Sequence, residues 1–124
     1  MTFRSFLAGS WTLVILGLCW FPRSLMPVEE STNRSFVIPH FDKLVHLGIF
    51  AVFAFLWMTA ARSPRRVVWV LAAGVAMAII SEMGQELPIV DRDANLMDGV
   101  ADTLGVGLGV LAYRFLGRFS GPEA

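Results

Sequence analysis

Four long apolar runs divide the chain, with polar stretches between them. The first runs from Phe6 to Phe21 and stops at Pro22. The second runs from Leu44 to Ala61 and stops at Arg62 and Pro64. The third starts at Val67, stays apolar to Ile80 and can continue as a helix to Leu87, before Pro88. The fourth runs from Leu96 to Leu116 and carries Asp98 and Asp102 near its start. A spanning helix needs about 20 mostly apolar residues, in a range of about 17–25. The second and fourth runs meet that length directly; the first and third meet it once their polar shoulders count. The pattern predicts an all-α integral membrane protein with about four transmembrane helices in an antiparallel bundle. The spans fall near 4–21, 44–61, 67–87 and 96–116, within a single domain of residues 1–124.

The connections agree with this division. Pro22 to Lys43 holds three prolines and a Glu-Glu-Ser-Thr-Asn-Arg stretch, which reads as a solvated loop. Arg62-Ser63-Pro64-Arg65-Arg66 is short enough to fold spans two and three into a helical hairpin. Pro88 to Asn95 joins spans three and four. No internal repeat or low-complexity segment is present.

Composition sharpens the membrane reading. Mean hydropathy is +0.64 and 56% of residues are hydrophobic. Charged residues make up 16%, against roughly 25% in soluble domains. A soluble chain this short cannot bury so much apolar surface within itself. Ten basic and ten acidic residues give a formal net charge of zero, which argues against a nucleic-acid partner. Cys19 is the only cysteine, so no internal disulfide forms. Leu18 and Trp20 flank it and make a poor lipidation signal; it reads as a thiol facing lipid or a neighbouring helix. Trp20, Phe21 and Pro22 stand where a cleaved leader would need small residues, so the first run is expected to be a retained span.

Lysine and arginine set orientation. With the N-terminus inside, the inner segments hold Arg4, Arg62, Arg65, Arg66, Arg114 and Arg118; the outer ones hold Arg23, Arg34, Lys43 and Arg92. The excess on one side predicts that both termini are cytoplasmic, with Arg62, Arg65 and Arg66 as topology anchors. The tryptophans Trp11, Trp20, Trp57 and Trp69 read as interfacial or lipid-facing residues.

On this topology the ionisable residues converge. Asp42, Lys43 and His46 open span two, and Glu82, Gln85 and Glu86 close span three. Asp91, Arg92 and Asp93 lie in the following loop, and Asp98 and Asp102 open span four. An antiparallel order brings all of them to one membrane face, the outer one. Asp42 and His46 share a helix face, as do Glu82, Gln85 and Glu86. Asn95, Asp98, Asp102, Gly105 and Gly109 form one stripe down the fourth helix, polar above and glycine below. Glycines four apart allow close approach of another helix, which turns the aspartates inward. Each residue alone fits a cap or a wet helix end. Three helices presenting carboxylates at one face points to a functional site, because ionisable residues in spans are costly.

The residues Asp42-Lys43-x-x-His46, Glu82-x-x-Gln85, Arg92 followed by Asp98, then Gly105 and Gly109, resemble the VanZ-like family in order and spacing. The resemblance runs from the first span to Gly109. Asn95 stands where that family often has serine, and Asp102 where it usually has asparagine, which adds a negative charge. Phe50 fits the aromatic that usually follows the histidine. The resemblance implies a small, multi-pass protein of the bacterial inner membrane. Some members of the family raise resistance to the glycopeptide teicoplanin.

Two functions are expected to compete. The first is an envelope accessory whose cluster binds a polar headgroup: a lipid-linked cell-wall intermediate or a glycopeptide. The alternative is a membrane-embedded enzyme acting on a lipid-linked substrate, with His46 beside Glu82 and Asp98 doing acid–base work. A transport role ranks lowest, because the acids cluster on one side. No cofactor and no metal site is expected; membrane lipids are the expected partners.

Overall fold

The computed structural model describes residues 1–22, 41–90 and 96–117, and the side chains of all but residues 41, 42 and 117. Most of the long loop and residues 91–95 lie outside the described residues. Four α-helices follow one another: α1 (Phe3–Cys19), α2 (Phe41–Ala60), α3 (Arg66–Gln85) and α4 (Leu96–Gly117). Among the described residues every regular element is a helix, so the chain is all-α. Lys43–Ala60, Arg66–Gln85 and Leu96–Leu116 are long and apolar enough to cross a membrane; α1 is a shorter apolar helix of 17 residues. Large apolar side chains on every helix face outward, including Leu13, Val52, Ile79 and Leu111. Such a surface suits lipid, not water.

Local chemistry sets the helix ends. Thr2 caps α1, its Oγ1 accepting from the Ser5 amide at 3.1 Å. After α2, the Ser63 hydroxyl accepts from the Arg65 amide at 3.2 Å and the Ser63 carbonyl from the Arg66 amide at 3.0 Å, which turns the chain into α3. α3 stops at Gln85, short of Leu87. Leu87 precedes Pro88, which disfavours the helical conformation there, and its amide bonds instead to the Gly84 carbonyl at 3.2 Å.

α2 and α4 form the tightest seam. A Cβ at Gly105 would overlap the Leu47 carbonyl, and one at Gly109 the Ala51 carbonyl. Both contact points advance by four residues along each helix, so α2 and α4 run parallel with their backbones touching. Phe50, Phe53, Ala54, Met58, Val106 and Val110 fill the core around this seam.

Three tryptophans correct the sequence reading. Trp11 Nε1 donates to the Ile49 carbonyl at 2.9 Å, Trp57 Nε1 to Thr12 Oγ1 at 3.0 Å, and Trp20 Nε1 to the Ser81 carbonyl at 3.3 Å. These bonds tie α1 to α2 and α3. An indole N–H facing hydrocarbon would go unsatisfied, so it turns to a neighbouring helix instead. Only Trp69 is exposed, at 64%.

Candidate functional site

The parallel seam brings the first turns of α2 and α4 together. Lys43 and His46 lie three apart on α2, and Asp98 and Asp102 four apart on α4, so each pair presents one face. Lys43 Nζ lies 2.6 Å from Asp98 Oδ1. His46 Nδ1 lies 2.8 Å from Asp102 Oδ1. His46 Nε2 lies 3.9 Å from Asp98 Oδ2, too far for a hydrogen bond. The four side chains interleave as Lys43, Asp98, His46, Asp102 from the helix ends inward.

Burial follows the same order. Asp102 is 0% exposed, while the Lys43 side chain keeps 21% of its surface. With Asp102 ionised, its oxygens only accept, and His46 Nδ1 donates across the 2.8 Å contact. Asp102 therefore fixes the imidazole's tautomer and tilt, and Nε2 is turned toward the Asp98 carboxylate. Asp102 Oδ2 is buried and has no hydrogen-bond partner among the described residues.

Glu82 belongs to the rim of this cluster. Its side chain packs toward Gly99 of α4. Its charge lies within electrostatic reach of His46. It also lines a groove of about 610 Å³ between α3 and α4, otherwise walled by side chains such as Val75, Ile79, Met83, Val100 and Leu104.

The remaining sequence candidates separate. Gln85 is buried, and its Nε2 donates to the Cys19 carbonyl at 3.3 Å, so its recorded bond links α3 to α1 instead of joining the cluster. Glu86 caps the end of α3 and is exposed. Asp42 lies on α2, but its side chain is outside the described residues, as are Asp91, Arg92, Asp93 and Asn95 altogether. Gly105 and Gly109 sit below the aspartates and set the helix separation that lets His46 reach Asp102. Sequence spacing missed the polar ties of α1, made by the side chains of Thr12, Trp11, Trp20 and Trp57. Their one signal was a polar atom in an otherwise apolar helix. Among the described residues, no three His, Cys, Asp or Glu side chains group as a metal ion would need.

Compared with models of protein families, with curated proteins and with solved structures, the chain matches none of them.

Proposed function

We propose that this chain is a VanZ-like accessory protein of the bacterial cell envelope, and that its Lys43–Asp98–His46–Asp102 cluster binds a polar headgroup. The ligand is a lipid-linked cell-wall intermediate or a glycopeptide, and binding lowers sensitivity to teicoplanin. One observation carries this reading: a fully buried carboxylate, Asp102, holds a histidine inside an apolar bundle. Ionisable side chains at membrane depth are expensive and mark sites by default. Lys43 and His46 supply donors for an anionic group through charge-assisted hydrogen bonds, and the two aspartates hold them in place.

The arginine distribution supports the setting. Arg62 and Arg65 lie between α2 and α3 and Arg66 opens α3, at the end of the bundle away from His46. Positive residues favour the cytoplasmic side. This orientation puts the cluster at the outer face of the inner membrane and both termini in the cytoplasm.

The second reading is a membrane-embedded enzyme acting on a lipid-linked substrate. The arrangement of His46 favours it: Nδ1 is held by Asp102, and Nε2 is turned to exchange a proton. Purified protein that turns over envelope lipids, with turnover lost in His46→Asn, would establish this alternative.

The accessory reading is tested in a teicoplanin-sensitive host expressing the full chain, with equal membrane abundance checked. Wild type is expected to protect, and Asp98→Asn and Glu82→Gln to lose protection. Full protection by both variants would make those two carboxylates dispensable for protection.

A further inference from the structure

The opposite end of the bundle holds a second polar feature that the proposed function does not use. A pocket of about 380 Å³ opens between the α2–α3 turn and the end of α4, and Arg62, Arg66 and Arg114 line it. Its other walls come from Met58, Ser63, Pro64 and Val67. Among the described residues no acidic side chain lines it. Among the described residues none of the three arginines forms an ion pair with a carboxylate.

Among the described residues, charge around this pocket is therefore unbalanced. α3 begins there with no acidic residue in its first turn and no side-chain cap. The C-terminal ends of α2 and α4 contribute about half a negative charge each, well below what three guanidinium groups carry. A topology anchor needs positive charge but no convergence. Here three separate positions, after α2, at the start of α3 and in the last turn of α4, supply arginines to one cavity. Arg66 is also held in place, its guanidinium 5.0 Å from the centre of the Tyr113 ring.

We infer that this pocket binds the phosphate of an anionic phospholipid headgroup, clamped between Arg62, Arg66 and Arg114. The guanidinium fork matches phosphate oxygens in pairs. The pocket lies where spanning helices end, and basic pockets between such helices recruit anionic headgroups. Met58 and Val67 give the apolar wall on which a glycerol backbone and the first acyl carbons rest. Trp69, exposed in the first turn of α3, stands at the level where indoles meet headgroups. The bound lipid would bridge the α2–α3 turn to α4.

The test uses the full chain in micelles holding equal amounts of phosphatidylglycerol and phosphatidylcholine, with retained lipid read by native mass spectrometry. Wild type is expected to retain phosphatidylglycerol preferentially. Arg62→Gln/Arg114→Gln is expected to weaken that preference about tenfold or more, the ratio that losing charge-assisted hydrogen bonds gives. Arg62→Lys/Arg114→Lys keeps the charge needed for insertion and is expected to fall between the two, so a folding failure of the first variant does not decide the matter. Arg4→Gln, on α1, is expected to behave as wild type. Equal retention of both lipids by wild type would overturn the inference, as would an undiminished preference in the glutamine and lysine pairs. Equal loss in Arg4→Gln would reduce it to general surface charge. Inorganic phosphate that displaces the lipid completely at matched concentration would assign the pocket to free phosphate instead and overturn the lipid reading.

Discussion

The two faces of α4 pack in opposite ways. Toward α2 it presents Asp98, Asp102, Gly105 and Gly109, and the two backbones touch. Toward α3 it presents Gly99, Val100, Thr103 and Leu104, and a groove of about 610 Å³ remains. Both faces contain small residues, so small size alone does not close a seam. On the α2 side the glycines lie in register with Leu47 and Ala51, and the Lys43–Asp98 and His46–Asp102 pairs above them meet across the same contact. On the α3 side Gly99 meets only the flank of Glu82. On the α2 face backbone meets backbone beneath the ion pairs; on the α3 face the close contact is Gly74 against the Val106 side chain, deeper in the bundle than the groove.

Filling the tight seam should break this contrast most severely. Gly105→Val drives a side chain into the Leu47 carbonyl, which is backbone and cannot rotate away. The expected cost is about 3 kcal/mol or more, seen as loss of the folded bundle in detergent unfolding experiments. Next comes Asp102→Ala, which leaves the part-buried His46 without its partner. It should cost about 2–3 kcal/mol by the same measurement. Asp102→Asn keeps an acceptor for Nδ1 and should cost clearly less. Lys43→Met removes an ion pair that water still reaches, and the bundle should lose about 1 kcal/mol or less. The loose face should hardly respond: Gly99→Ala is expected to stay within about 0.5 kcal/mol of wild type, since the nearest atom to a new Cβ is 4.0 Å away. A Gly99 variant as damaging as the Gly105 variant would erase the distinction between the faces.

The sequence revealed the helices because hydropathy and proline placement act locally. It also revealed the α4 stripe, because one face of a helix can be counted from spacing. It did not reveal which acid meets His46. Asp98 and Asp102 share a face, and the choice depends on the register of α2 against α4, which the Gly105 and Gly109 contacts set. Gln85 shows the limit of face counting. Glu82 and Gln85 differ by about 60° around the helix axis. That rotation turns the glutamine to the Cys19 carbonyl on α1 while Glu82 faces α4. The tryptophans were misread for a related reason: hydropathy records an indole as apolar and says nothing of where its N–H must go.

On the proposed function the α2–α4 cluster binds a ligand and does not only brace two helices. His46→Asn separates these roles, because its amide nitrogen can still donate to Asp102 from near the Nδ1 position while the Nε2 position is removed. The measurement is teicoplanin protection by this variant, with membrane abundance and unfolding midpoint recorded alongside. Protection is expected to be lost while abundance matches wild type and the midpoint moves little. Undiminished protection would show that Nε2 takes no part, and the cluster would be a structural brace.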